Sequence, residues 1–284
     1  MNLTTSLCIL LIPAAVIAAP ADTNWVEVAT NEIDLRVVGE REQKVLADPQ
    51  FKWRHAQTPH FVVHFENGIF AAKVGRMAEF FYDYIGKDLQ GMEDRVQGRS
   101  HIFIFRNEKD WKSFMASHAG GASDWAFSFV SGPSMYLQQA DNMGSSASVL
   151  SHEMTHLVVN RFLTGPLPLW MNEGIAEWYG EFAYSEFKGT KKSKKAQFKK
   201  LHGMLDVPSM LNASSYPADP RAVGLFYQNA KYMVAFLQFE KTPDIFTLLI
   251  RDVSGGRSFQ DALAERYGIT SLEAFAKSFE RFAK

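Results

Sequence analysis

Two histidines four residues apart, with a glutamate directly after the first, stand at His152-Glu153-Met154-Thr155-His156. On an α-helix that spacing puts two side chains one turn apart on the same face. Two imidazoles so placed can both reach one zinc ion at about 2.0–2.1 Å. Glu153, next to the first histidine, reaches the same side and can take a proton from the attacking water without being a ligand itself. The setting suits a helix. Leu150, Met154, Leu157 and Val158 recur at three and four, and Ser145, Ser146 or Ser148 can cap its start. The five residues alone would also suit an amphipathic helix with two surface histidines, and about one chain in a hundred of this length would carry them by accident.

The next segment changes that balance. Catalytic zinc sites use three protein ligands and keep a fourth position open. Thr164-Gly165-Pro166-Leu167-Pro168 is a turn that ends one helix and starts another, and Leu169-Trp170-Met171-Asn172-Glu173-Gly174-Ile175-Ala176-Glu177-Trp178 follows it. Glu173 then lies in the first turns of a helix able to pack back on the first, where its carboxylate completes a His, His, Glu set. Glu177, four residues on, shares that face and can accept a hydrogen bond from the second ring nitrogen of a ligand histidine. Alone, the two glutamates would suit an exposed acidic stripe. After H-E-x-x-H and a turn they point to one bound Zn2+ per chain.

H-E-M-T-H followed by W-M-N-E-G-I-A-E-W resembles the gluzincin metallopeptidases, and most of all the bacterial peptidase MA-like domains. Weaker similarities extend over residues 58–284. Thr58-Pro59-His60-Phe61-Val62-Val63-His64-Phe65 is similar to the opening strand of such domains. Phe226-Tyr227-Gln228-Asn229-Ala230 resembles the head of a later helix, and Phe259 to Leu263 with Tyr267-Gly268-Ile269 resembles the tail. The resemblance implies His152, His156 and Glu173 as zinc ligands, Glu177 as support for a histidine, Glu153 as general base and a peptide or protein as substrate. It implies a tyrosine or protonated histidine as oxyanion donor, with Tyr227 first and Tyr232 and His202 behind it. Tyr227 would equally suit the core as a plain aromatic. Met135, Tyr136 and Leu137, in the strand before the zinc helix, match in position the edge strand to which gluzincin substrates add; the same strand could be internal. The spacing before Glu173 is shorter than in many aminopeptidase gluzincins, and no G-x-M-E-N motif precedes the site, which argues against aminopeptidase specificity.

The elements that must position these residues are partly readable. Strands are expected at 60–65, 101–105, 125–130 and 134–138 from their β-branched and aromatic content and bounding turns. Helices are expected at 70–89 and 110–118, then at 148–162, 169–182, 223–239, 243–253, 259–267 and 271–282. Strands in the first half and helices in the second make an α+β fold. By resemblance that fold is zincin-like, with the zinc site between a sheet-containing half, 58–163, and a helical half, 164–284. Residues 22–57 read as an arm leading into the domain. His55, His60, His64, His101 and His118 lack ligand-like spacing and read as surface or hydrogen-bonded histidines.

Composition sets outer limits. The 284 residues carry 30 basic and 31 acidic side chains, a formal net charge of −1, so no global field draws in nucleic acid. The first 21 residues hold no charge, an apolar stretch and Ala19-Pro20-Ala21. That is the pattern of a secretory signal cut after Ala21, or of an uncut anchor, though the stretch is short for a span. The only cysteine, Cys8, falls in this segment, so a mature chain holds no disulfide. An exported, bacterial periplasmic or secreted protein without stable membrane insertion is the expectation. Seven lysines between Lys188 and Lys200 read as a solvated loop or helix face. Three functions remain open on this reading: a zinc endopeptidase, a zinc hydrolase acting on another amide such as cell-wall material, and a silent binding protein of the same fold. The four intact residues argue against the last.

Overall fold

The computed structural model describes residues 24–119, 127–139, 143–190 and 192–284; the expected signal segment lies outside them. In chain order the first half runs β1 (Val26–Val28), α1 (Glu40–Ala47), β2 (Arg54–Gln57), β3 (Phe61–Phe65), α2 (Gly68–Asp88), β4 (Ser100–Phe105), α3 (Glu108–Ser117), β5 (Ser128–Ser131) and β6 (Ser134–Gln138). The second half is helical: α4 (Met143–Val159), α5 (Leu169–Phe187), α6 (Lys194–Gln197), α7 (Val207–Leu211), α8 (Pro220–Glu240), α9 (Pro243–Ser254), α10 (Phe259–Tyr267) and α11 (Leu272–Ala283). The chain is therefore α+β, with one mixed six-stranded sheet in the order β1-β2-β3-β4-β6-β5.

The arm is more than a lead-in. Its β2 pairs antiparallel with β3, with Ala56 opposite Val63 and His55 opposite His64, and β1 pairs antiparallel with β2 at the edge. Strands β3, β4 and β6 run parallel, and β5 returns antiparallel as the outer strand. This order corrects one expectation. Met135, Tyr136 and Leu137 lie in β6, which is paired to β4 on one side and to β5 on the other, and all three are buried. Their backbone is spent within the sheet and cannot take up a substrate strand. The outer position belongs to β5, which the tight turn at Gly132 folds back along β6.

The central strands are buried on both faces, which is why they read as nearly continuous apolar runs. Phe61, Val63, Phe65, Ile102, Ile104, Met135 and Leu137 face α2 and α4, whose Val74, Phe81, Leu150 and Met154 complete the main core. Phe103, Phe105 and Tyr136 point the other way, into a smaller core with Val45 of α1 and Trp111 and Phe114 of α3. At the foot of α4 the buried Arg161 ties the helix to the sheet. Its guanidinium donates to Asp94, to the Ser100 hydroxyl and to the carbonyls of His60 and Gly98.

Three of the histidines form a hydrogen-bonded row across β2, β3 and β4. His101 Nε2 lies 2.9 Å from the Asp34 carbonyl, His64 Nε2 lies 2.8 Å from His101 Nδ1, and His55 Nδ1 lies 2.8 Å from His64 Nδ1. The Thr30 hydroxyl closes the row at His55 Nε2. A carbonyl only accepts, so His101 donates to it, His64 donates to His101, His55 donates to His64, and Thr30 donates to His55. Every ring is then neutral and satisfied. Burial keeps all three from charging, with His101 lowered to about 4 and His64 well below its usual value, where the neighbouring rings add to the effect. In the unfolded chain each would titrate near about 6.5, so below that pH the unfolded state binds more protons and stability falls. We expect the row's contribution to be full above about pH 7 and to decline as pH drops from about 6.5 towards 4. Nitrogen NMR of the imidazoles checks this: at pH 5.5 His64 and His101 should remain neutral in the folded chain, and a charged ring at either would refute the row.

Candidate metal centre

The hairpin of α4 and α5 carries the centre, and two glycines set how close its helices come. A Cβ on Gly180 would stand 3.3 Å from the backbone nitrogen of His152, and one on Gly174 would stand 2.4 Å from the Ala230 carbonyl oxygen. The first lets α5 lie against α4 at His152, and the second lets α8 lie against α5 beside Glu173. A methyl group at residue 174 would push α8 away. Pro168 starts α5 at Leu169, so Glu173 falls in its second turn and faces α4.

Three donor atoms converge there. His152 Nε2 lies 3.1 Å from Glu173 Oε2 and 3.1 Å from His156 Nε2, and His156 Nε2 lies 3.5 Å from the same Glu173 oxygen. Glu173 is 2 % exposed. His152 Nδ1 lies 2.9 Å from Glu177 Oε1 and must donate to it. In the neutral ring this leaves the Nε2 lone pair facing a carboxylate oxygen and a second imidazole nitrogen, an arrangement that calls for positive charge between them, supplied by an added proton or by a metal ion. A cation resolves that arrangement. Tetrahedral bonds of about 2.0–2.1 Å hold donor atoms about 3.3–3.4 Å apart, and the observed separations bracket that value. His152, His156 and Glu173 form a group that could hold a metal ion.

The electrostatics agree with a site built for positive charge. Burial opposes charging of His152, but the carboxylates of Glu173 and Glu177 outweigh it and push its pKa up to about 10. Burial likewise opposes ionisation of Glu173, and hydrogen bonds from His152 and His156 hold its carboxyl well below the usual range. Glu153, on the same helix as the histidines, is raised by burial, with the charges of His156 and His152 pulling the other way.

The remaining expected residues divide clearly. Tyr227, on α8, has its ring 5.5 Å from that of His152. Tyr232 packs instead on Phe198, and His202 lies exposed in the chain between α6 and α7. One residue escaped the sequence reading. Tyr216, in the 212–219 loop, donates from its hydroxyl to Glu173 Oε1 at 2.8 Å. It sits in Ser214-Ser215-Tyr216-Pro217, where no periodicity or motif marks it. Burial, followed by the Glu173 charge, raises the hydroxyls of both Tyr216 and Tyr227, the latter to about 12, so both remain donors at neutral pH. A cavity of about 650 Å3 borders His152 and Glu177, and a second of about 670 Å3 borders Leu157, Asn160 and Asn172.

Metal titration tests the assignment residue by residue. His152→Ala or Glu173→Ala should lose stoichiometric metal after dialysis, and retention by either would remove that residue from the ligand set. Glu177→Gln should still bind, but about 10–100-fold more weakly, as when a ligand histidine loses its carboxylate partner. An affinity equal to wild type would reduce Glu177 to a surface carboxylate.

Compared with protein-family models and with curated proteins, the chain matches none, so its functional reading rests on these atoms.

Proposed function

We propose that this chain is a zinc-dependent peptidase of the gluzincin type, with a zincin-like fold and His152, His156 and Glu173 as its metal ligands. The observation that carries the reading is the convergence of two imidazole nitrogens from consecutive turns of α4 with one carboxylate oxygen of α5. Zinc suits two nitrogens and one carboxylate with a position left for water. Such an ion supplies Lewis acidity and lowers the pKa of water.

The chain's own residues do the rest. Glu153 follows His152 on α4 and is not part of the ligand group. It takes a proton from the attacking water and passes it to the departing amine. Its burial favours this role, because a carboxylate stripped of solvent is a stronger base. Tyr227, beside His152 and protonated, offers a hydroxyl to the oxygen that gains charge as the carbonyl is attacked. Glu177 holds the His152 ring in one tautomer.

A peptide is favoured over another amide by the sheet. Among the described residues β5 is paired on one side only, and it packs beside α4. An extended chain can add to such an edge through its own backbone groups. Export to a periplasmic or extracellular location belongs to the same reading and rests on residues 1–21. Among the described residues no helix is long and apolar enough to cross a membrane.

Glu153→Gln separates an enzyme from a silent scaffold. The substitution keeps size and removes the basic carboxylate, so bound metal should be retained while peptide hydrolysis falls roughly 10²–10⁴-fold. Equal cleavage by both proteins would show that Glu153 is not the base. A wild type that leaves every member of a broad peptide library intact would overturn the peptidase reading. Tyr227→Phe should lower kcat by about 10²–10³-fold if the hydroxyl is an oxyanion donor; a change confined to KM would assign the ring to substrate binding alone.

A further inference from the structure

The two oxygens of Glu173 have different neighbours. Oε2 faces both imidazoles, at 3.1 Å from His152 Nε2 and 3.5 Å from His156 Nε2. Oε1 is turned to two neutral donors, the Tyr216 hydroxyl at 2.8 Å and the Asn172 side-chain amide at 3.3 Å. Of these the Asn172 contact is beyond the range of a good N–H···O bond, whereas the tyrosine contact is within the usual O–H···O range.

Tyr216 is an unusual side chain for this task. It is 47 % exposed, yet its hydroxyl end reaches a carboxylate that is almost wholly buried. Its ring leans edge-on against Phe226 and Tyr227 at the head of α8, which directs the hydroxyl inward from the loop. The ring rests on these two neighbours at the surface, and the hydroxyl spends its hydrogen bond on Glu173.

We propose that Tyr216 is a positioning residue that restricts Glu173 to ligation through one oxygen. A carboxylate beside a metal can offer one oxygen or both. With Oε1 engaged by the tyrosine, rotation that would present both oxygens has to break a hydrogen bond to a charged group, which is among the stronger kinds. One-oxygen ligation leaves two nitrogens and one oxygen as the protein's share and keeps a coordination position open for water and substrate. Without the hydroxyl, Glu173 is free to close that position with its second oxygen. The inference rests on the metal-centre reading of His152, His156 and Glu173 and assigns a residue outside the helix motifs that suggested that centre.

Cobalt(II) reports the outcome directly, because four-coordinate cobalt absorbs visible light severalfold more strongly than five-coordinate cobalt. The full chain and Tyr216→Phe are loaded with cobalt after metal removal, and folding is checked by circular dichroism. Wild type should show the intense four-coordinate bands. Tyr216→Phe should keep stoichiometric cobalt and show the weak five-coordinate spectrum, with peptide turnover of the zinc form down roughly 10–100-fold and KM little changed. Identical spectra in the two proteins overturn the proposal and leave the metal centre standing. A wild type that binds no cobalt overturns the metal-centre reading, and the proposal with it. If Tyr216→Phe does not fold, X-ray absorption of zinc-loaded wild type decides: one carboxylate oxygen on the metal supports the proposal, and two refute it.

Discussion

A carboxylate that is 2 % exposed cannot stay ionised unless positive charge or strong hydrogen bonds meet it. Glu173 is such a group, and the helical half of the protein is arranged around meeting it. His152 and His156 face it from α4, Tyr216 reaches it from a loop, and α8 closes over it. The approach of α4 and of α8 to α5 needs helices closer together than ordinary side chains permit. Gly174 and Gly180 provide the room, one on each side of α5. The candidate metal centre and the tight packing of α4, α5 and α8 are thus one solution to one requirement.

The sheet supplies rigidity rather than ligands. Arg161 anchors the end of α4 to His60 just before β3, to β4 and to the 91–99 segment through five hydrogen bonds. Leu150 and Met154 press the opposite side of the same helix onto the sheet core, so the two histidines have a fixed platform. The far face of the sheet carries no part of the centre. It buries a polar row of histidines beneath the 30–38 segment, whose hydrogen bonds run in a single direction from Thr30 to Asp34.

What could be read in the sequence is what depends on near neighbours along the chain. His152, His156, Glu173 and Glu177 are spaced by helical turns and one short loop, so their types and intervals predict their meeting. The helices from α8 to α11 follow from periodicity, although α8 begins at Pro220, three residues before the expected 223, because Asp219 caps it. What could not be read depends on strand order and long-range approach. Arg54-His55-Ala56-Gln57 has little strand character and pairs only because β1 and β3 flank it. The row of His55, His64 and His101 requires a cross-strand register that no spacing encodes. The internal place of β6 is hidden for the same reason, since a hairpin's sequence does not say which arm lies outermost. Tyr216 meets Glu173 across 43 positions, from a loop whose path is set by how α7 and α8 dock.

The locality of the α4–α5 hairpin also governs how the centre comes into being. All three candidate ligands and Glu177 lie in one antiparallel helix pair, joined by the short 160–168 connection. Closing so small a loop carries a low entropic cost, and contacts of this kind form quickly compared with the pairing of distant strands. The six-stranded sheet, with its parallel β3, β4 and β6, depends on such distant pairing. A cation bound by this group would therefore be captured by the hairpin while the sheet is still assembling, and would act as a cross-link between two helices. For a hairpin of this kind, metal supply during synthesis would bear on the yield of folded chain.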